Sequence, residues 1–231
     1  MTDETSDFVR PFPALTPAQR YHLDVFGYVV VENTLSTDEV GTLLEAMQQL
    51  QADLEAAGEG AFVRGCRFSA HHPHHSHLAH ILEAHPAIYD YLTHPRLVGL
   101  VEELVGGTVR LEESEAVINS RAPDSAWDGH YGFHTGTRPD IGTYVENGLY
   151  HCTFVKTLTN LTDLGPDDGG TVCIAGSHKI KVSREEIIAC AYEDRTLIHQ
   201  VVAPAGSTLL FGEALIHATG HLTSDCERVI V

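Results

Sequence analysis

The chain is short of basic residues. Lysine and arginine together number 14 against 32 aspartate and glutamate residues, which gives a formal net charge of −18. A protein with this charge repels the phosphate backbone of DNA or RNA, so we expect no nucleic-acid partner. Eight of the 14 basic residues lie from Arg121 onward. A locally basic cleft in that half of the chain would suit an anionic ligand.

Cysteine is also scarce. The five cysteines are odd in number and include no C-x-x-C pair, so neither a disulfide framework nor a zinc knuckle is expected. No apolar run is long enough to span a membrane. The acidic start, MTDETSDFVRPFP, has neither the basic nor the apolar region of a secretory signal. We therefore expect a cytoplasmic protein that does not contact membranes.

The 231 residues, 43% of them hydrophobic, fit one domain with a substantial core. Residues 1–107 are predicted to be mainly helical, with starts at Thr16-Pro17 and at the capping box Ser36–Glu39 and a further helix over residues 86–105. Over residues 108–231, short strand-like stretches alternate with turns rich in Gly, Pro and Asp. This pattern predicts an α+β fold, a double-stranded β-helix (a jelly-roll, cupin-like barrel) buttressed by N-terminal helices.

A histidine-rich segment interrupts the helical part. It surrounds Pro73 and contains His71, His72, His74, His75, His77 and His80. Such a cluster permits a second metal site. The proline and the absence of a fixed helical or strand period favour a mobile loop or a lid over the active site, which is our prediction here.

Three stretches in the strand-rich half carry chemistry: FHTG at 133–136, GPDDGGTVCIAGSHK at 165–179, and the stretch from His217 to Arg228. A single histidine in a strand is more often structural than a metal ligand. The order and spacing of these three stretches, however, favour metal ligands. Non-haem iron(II) oxygenases bind their metal through two histidines and one carboxylate and leave positions open for cosubstrate and oxygen. Arg228 follows His217 by 11 residues. On the neighbouring strand it would bind the far carboxylate of 2-oxoglutarate.

These stretches resemble the phytanoyl-CoA dioxygenase family of iron(II)- and 2-oxoglutarate-dependent oxygenases. The resemblance runs from about Leu15 to the end and includes FGYVVVEN, the GGTVCIAGSHK segment and the spaced His217 and Arg228. It implies Fe(II), 2-oxoglutarate and O2 as cofactors, with His134 and His217 as the metal ligands. His178, within the GSHK turn, is expected to be structural.

The resemblance also implies the residues that bind the cosubstrate. Arg228 would hold the far carboxylate of 2-oxoglutarate. Arg121, in NSRAP, stands where relatives carry a basic residue before a proline, so it is predicted to contact the cosubstrate, and Asn119 is a weaker candidate.

Gly136 departs from the family pattern, because it stands where the H-x-D motif has its carboxylate ligand and glycine has no side chain. A neighbour such as Asp140 or His130 could replace the ligand, or the chain could be an inactive relative. It could also hydroxylate with two histidines and water. In the fourth interpretation chloride binds at the position that Gly136 leaves open, as in the related halogenases, which carry H-x-G or H-x-A.

The other motif residues are intact, which argues against decay and favours the fourth interpretation. The sequence therefore predicts a halogenase that chlorinates an unactivated aliphatic C–H bond of a small natural-product precursor, with chloride bound at Gly136. The protein would have to hold that C–H bond nearer to chlorine than to oxygen. The alternatives are a 2-oxoglutarate-dependent hydroxylase and a non-catalytic cupin-like binding protein.

The substrate is the least determined part of the prediction. Basic side chains could bind a phosphate or carboxylate, and aromatic ones could stack on a flat ring, although solvated surface and core packing are the alternatives. The candidates are Arg64, Arg67, Arg138, Trp127 and Phe133. They favour a small and anionic substrate, with a nucleotide as one option. The oligomeric state cannot be predicted.

Overall fold

A computed structural model describes residues 14–136, 142–146, 148–179 and 182–231. The helices in these ranges are α1 (Pro17–Phe26), α2 (Thr37–Ala57), α3 (Pro86–Leu92), α4 (Pro95–Val105) and α5 (Arg184–Glu193). The strands are β1 (Tyr28–Val31), β2 (Arg67–His72), β3 (His75–Ala79), β4 (Glu115–Asn119), β5 (Thr143–Glu146), β6 (Leu149–Cys152), β7 (Val155–Thr159), β8 (Val172–Ile174), β9 (Ile198–Gln200), β10 (Thr208–Gly212), β11 (His217–Ala218) and β12 (Arg228–Ile230).

The first two helices begin at the residues that the sequence predicts. Thr16 and Ser36 each cap a helix through a capping box, in which the side chain accepts from the third helical N–H. The apolar stripe of α2, which includes Met47 and Leu50, packs against Ile118 of β4. The helices thus buttress one face of a sheet. No helix in the described ranges is long and apolar enough to cross a membrane.

Two helices, and not the one predicted, cover residues 86–105. The prediction of a single continuous helix is therefore wrong at residues 93–94. α3 ends at Leu92, with Thr93 as its C-cap, and α4 begins at Pro95. Proline has no N–H to donate to the preceding turn and its ring clashes there, so it tolerates only the first turn of a helix.

Two groups of strands pack against each other. The sheets β12-β4-β3-β2 and β1-β10-β7 are joined where the Leu161 N–H, just after β7, donates to the Val229 carbonyl of β12 at 2.9 Å. The other group is β11-β8-β9, which His134 extends by pairing with His217. This mixture of helices and two strand layers is consistent with the predicted jelly roll, although the described strands do not form a closed barrel.

The histidine-rich segment is a β-hairpin, so the prediction of a mobile loop there is wrong. β2 and β3 pair with each other, and β3 pairs with β4, which places the hairpin at the edge of a sheet. Leu78 is buried against the helices, while His75 and His77 point to the other face. Polar histidines on that face hide the alternation of apolar residues by which a strand is normally predicted.

Candidate metal centre

His134 and His217 lie opposite each other on neighbouring strand segments. The His134 N–H donates to the His217 carbonyl and the His217 N–H donates to the His134 carbonyl, each at 2.9 Å. Two residues that exchange both backbone hydrogen bonds carry their side chains on the same face of a sheet. The imidazole rings accordingly lie side by side, with centroids 4.4 Å apart.

A backbone carbonyl fixes one nitrogen of each ring. His134 Nδ1 lies 3.0 Å from the Gly132 carbonyl oxygen, and His217 Nδ1 lies 2.9 Å from the Leu215 carbonyl oxygen. Because a carbonyl can only accept, each Nδ1 carries the hydrogen and each Nε2 keeps a lone pair. Metal-binding histidines have this arrangement, since the second partner fixes both the tautomer and the direction of the ring.

The two histidines differ in their exposure. His217 is partly buried, and burial together with the neighbouring His134 and Lys156 lowers its pKa to about 4. It is therefore neutral at physiological pH, as a metal ligand must be. His134 is exposed. The pair can thus be reached from solvent, which a catalytic metal centre needs for the entry of its substrates.

Glu213 occupies the space beside Gly136. The Gly136 N–H donates to the Glu213 carbonyl at 2.9 Å. A Cβ built on Gly136 would overlap the Glu213 side chain, 2.5 Å from its Cγ. The Glu213 residue is only 4% exposed. The space in which the sequence predicts chloride is therefore filled by a carboxylate side chain, although the described residues contain no preassembled group of three metal-binding side chains.

Arg228 is a buried cation, only 2% exposed, and its partners among the described residues are neutral. Its guanidinium donates to Asn119 Oδ1 at 2.8 Å and to Thr171 Oγ1 at 3.2 Å, and its Nε has no partner among the described residues. Burial lowers the pKa of Arg228 to about 10, which leaves it charged at neutral pH. Within the described part of the chain no carboxylate pairs with it. A buried cation without an anion is costly, and a carboxylate from a bound acid would satisfy it through a fork of donors.

Thr171 places that guanidinium on the same side as the histidine pair. His217 pairs with Cys173 across β11 and β8, and Thr171 precedes Cys173 by two residues. Residues two apart in an extended chain share a face, so Thr171 and His217 face the same way. The contact of Arg228 with Thr171 therefore joins two different sheets on the side that His217 faces.

The GSHK turn packs against α1. The Gly176 N–H donates to the Phe26 carbonyl at 2.9 Å, His178 Nε2 lies 3.3 Å from the Asp24 carbonyl oxygen, and Lys179 forms an ion pair with the Asp24 carboxylate at 3.0 Å. Burial lowers the pKa of His178 to about 4. These contacts are those of a structural histidine that fixes a turn.

The two further residues predicted at the cosubstrate have different surroundings. Asn119 lies directly opposite Arg228 across β4 and β12, and its Nδ2 is 2.8 Å from His75 Nδ1. Arg121 is exposed, and its side chain pairs with two carboxylates, those of Asp124 and Asp225. The structure thus brings Asn119 to Arg228 and directs Arg121 to surface acids, and the contact of each with the cosubstrate stays a prediction.

The two aromatic candidates belong to the segment that leads to His134. Trp127 stacks on His221, with ring centroids 4.2 Å apart and an interplanar angle of 8°. Phe133, next to His134, packs against a buried apolar cluster that includes Ile187. Both rings are partly buried and have protein partners, so the structure does not favour either of them as a ligand contact.

The two arginine candidates that the structure describes, Arg64 and Arg67, have other surroundings than the histidine pair. Arg64 is exposed and pairs with Asp53 of α2. Arg67 is exposed on β2, the outer strand of its sheet, with β3 and β4 between it and β12. Arg138 and the proposed replacement ligand Asp140 lie outside the described residues, whereas His130 is exposed and its backbone N–H donates to Asp128.

Sequence reasoning missed Glu213 and Thr171. Glu213 lies far from Gly136 along the chain, so no local motif connects the two. A signal was nevertheless present, because Glu213 is an acidic residue inside the apolar stretch TLLFGEALIH. A charged residue in a buried strand region usually has a specific partner or function.

A pair of histidines, together with a buried carboxylate and a buried arginine, is consistent with the class of non-haem metal oxygenases that use an acidic cosubstrate. The family model for phytanoyl-CoA dioxygenase (PhyH) matches residues 23–230. The chain belongs to this family of Fe(II)- and 2-oxoglutarate-dependent enzymes, which confirms the predicted family. No curated protein matches the chain.

Solved structures share the fold. HygX from Streptomyces hygroscopicus, with nickel and 2-oxoglutarate bound, is 21% identical with a TM-score of 0.73, over 94% of this chain and 85% of that one. EctD from S. alaskensis is 20% identical with a TM-score of 0.68, over 94% and 75%. The carbocyclase SnoK from nogalamycin biosynthesis is 19% identical with a TM-score of 0.66, over 94% and 81%. At these identities the likeness shows the fold alone.

Proposed function

We propose that this chain uses Fe(II), 2-oxoglutarate and O2 to hydroxylate an aliphatic C–H bond of a small molecule. His134 and His217 would hold the metal through their Nε2 atoms. The observation that carries the proposal is Arg228, a buried cation without a carboxylate partner among the described residues, which contacts Thr171 on the side of the sheet that His217 faces. A dicarboxylic cosubstrate would bind the metal with one end and the Arg228 guanidinium with the other.

Iron and 2-oxoglutarate, when bound, would supply the activation of O2 and two of the electrons, while R–H, O2 and 2-oxoglutarate become R–OH, CO2 and succinate. The protein residues would provide position. The Gly132 and Leu215 carbonyls fix the imidazole rings, and Asn119 and Thr171 fix the guanidinium. Because these partners are already in place, little ordering would be required when the cosubstrate binds.

The first test needs no substrate. Under anaerobic conditions, Fe(II) followed by 2-oxoglutarate should give the visible charge-transfer band of a chelated 2-oxo acid. His134→Gln and His217→Gln should abolish the band, and the exposed His130→Gln should retain it. A wild-type protein that binds Fe(II) and gives no band would contradict the proposal and favour the non-catalytic binding protein.

Chlorination is the second candidate, and Gly136 is the observation that favours it, since a glycine at this position cannot ligate. We place hydroxylation first because the Glu213 side chain fills the space next to Gly136. Chloride added to the protein with Fe(II) and 2-oxoglutarate should leave the charge-transfer band unshifted if oxygen is transferred. A chloride-dependent shift, or a product with the chlorine isotope pattern, would reverse this order.

We propose a natural product or its precursor as the substrate class. A HygX structure contains hygromycin B, and a SnoN structure contains nogalamycin RO. The nucleotide option and the anionic character stay predictions, because Arg64 and Arg67 lie away from the histidine pair. A mass-spectrometric screen of such compounds for a product heavier by one oxygen, with equimolar succinate, would test this. Oxidation of nucleotides alone would contradict it.

A further inference from the structure

We propose that Glu213 is the carboxylate ligand of the metal, supplied from the turn after β10 instead of from the strand of His134. The inference rests on the function proposed above only in taking His134 and His217 as the other two ligands. It makes the centre a two-histidine, one-carboxylate site, with the acid drawn from an unusual position in the chain.

The position of the Glu213 side chain supports this assignment. In an extended segment the first and third residues point to the same face, so a side chain at position 136 would start on the face of His134. A Cβ built at Gly136 would overlap the carboxyl end of Glu213 and lie 2.5 Å from its Cγ. The Glu213 carboxylate therefore already stands where a side chain at position 136 would extend.

The backbone holds Glu213 in register with both histidines. The Gly136 N–H donates to the Glu213 carbonyl, which ties Glu213 to the strand of His134. The Leu215 N–H donates to the Gly212 carbonyl at 3.0 Å, closing a turn around Glu213, and the Leu215 carbonyl oxygen is the partner of His217 Nδ1. One turn thus positions Glu213 and also fixes the His217 ring.

Gly136 and Glu213 are complementary in size. Any side chain at position 136 would collide with Glu213, so the glycine makes room for the carboxylate. This explains the departure from H-x-D without loss of a ligand, because the charge and the oxygen donor that the aspartate would provide come from Glu213. Carboxylate oxygen together with two imidazoles is the donor set of non-haem Fe(II) oxygenases. The described residues contain no preassembled group of three such side chains, so the bound metal would draw the Glu213 carboxylate to the two imidazoles, and no ligand position would then be left for chloride.

The experiment exchanges the carboxylate between the two positions. Binding of Co(II) in the absence of 2-oxoglutarate is measured by calorimetry and by the visible absorption of the bound ion, for wild type, Glu213→Ala, Gly136→Asp and the double variant Gly136→Asp/Glu213→Ala. We expect Glu213→Ala to weaken Co(II) binding by about 10- to 100-fold, and the double variant to recover to within about threefold of wild type. Gly136→Asp alone should also bind more weakly, because two side chains then compete for one space. Glu193→Gln, an exposed glutamate at the end of α5, is the matched control and should behave as wild type.

Wild-type affinity and an unchanged Co(II) spectrum in Glu213→Ala would overturn the assignment. So would a double variant that keeps the wild-type melting temperature and does not regain Co(II) binding. If the wild type binds Co(II) in a Glu213-dependent manner but Fe(II) and 2-oxoglutarate give no charge-transfer band, the function proposed above fails and the ligand assignment stands. The two ideas can therefore fail separately.

Discussion

Arg228 and Asn119 lie opposite each other on β12 and β4, and the guanidinium donates to Asn119 Oδ1 at 2.8 Å. The Nδ2 of the same amide lies 2.8 Å from His75 Nδ1, so one face of the amide holds the arginine and the other is held by the hairpin. The histidine-rich hairpin therefore fixes the Asn119 amide, which in turn holds the Arg228 guanidinium. A rigid, desolvated guanidinium is prepared for a carboxylate before any ligand arrives.

Arg228→Lys should weaken 2-oxoglutarate binding, because a lysine keeps the charge but loses the fork of donors. Charge-assisted hydrogen bonds contribute about 1.5–3 kcal/mol, which corresponds to an increase of roughly 10- to 100-fold in the KM for 2-oxoglutarate. The thermal stabilisation of the Mn(II)-loaded protein by 2-oxoglutarate should shrink in parallel. Arg110→Lys, on an exposed side chain, is the control, and equal KM values for the two variants would contradict the assigned role.

Asn119→Ala should raise the same KM less than Arg228→Lys does. The cation remains but loses one neutral hydrogen bond, an interaction of about 0.5–1.5 kcal/mol, so we expect an increase of roughly 2- to 10-fold. Arg121→Ala should change the KM by less than about twofold, because its exposed ion pairs are weak. A larger increase in KM for Arg121→Ala than for Asn119→Ala, measured in steady-state succinate assays, would instead support Arg121 as the stronger contact of 2-oxoglutarate.

The residues that the sequence identified are those whose spacing along the chain carries the information. His134 and His217 are brought together by strand pairing, and Arg228 falls on the strand beyond, as a separation of 11 residues allows. The capping boxes that begin α1 and α2 are likewise local patterns. Local patterns and motif spacing therefore predicted the family, the helix starts and the histidine pair.

The rest depends on contacts between distant segments. The overlap of Glu213 with the space at Gly136 follows from the turn after β10 and from its pairing with the strand of His134, neither of which is encoded in a local motif. The hairpin of β2 and β3 was missed because histidines line one face and because Pro73 stands at its turn.

Gly27→Ala should destabilise the protein strongly. Gly27 ends α1 in the left-handed conformation, with a φ of 85°, and a Cβ there would lie 2.6 Å from His178 Cγ and 2.9 Å from Leu215 Cδ1. Left-handed backbone costs a non-glycine residue about 1–2 kcal/mol and overpacking adds about 1–3 kcal/mol, so we expect a loss of roughly 2–5 kcal/mol in the free energy of unfolding by urea.

Gly60→Ala provides the control for that prediction. Gly60 has a φ of 74° and nothing within 4 Å of a built Cβ, so only the backbone cost of about 1–2 kcal/mol should appear. Equal losses for Gly27→Ala and Gly60→Ala would show that the GSHK turn is not packed against α1 as described.

Gly136→Ala separates the two assignments of the glycine with a single methyl group. If Gly136 serves to make space for chloride, alanine should be tolerated, since halogenases of this kind carry glycine or alanine there. If Gly136 makes room for Glu213, the added Cβ displaces the carboxylate, and Co(II) binding should weaken by about 10-fold or more. Gly132→Ala is the matched control in the same segment, because a Cβ at Gly132 would meet nothing within 4 Å. The affinity of both variants for Co(II) is measured by calorimetric titration. Wild-type affinity in Gly136→Ala would contradict the role of Glu213 and favour chlorination.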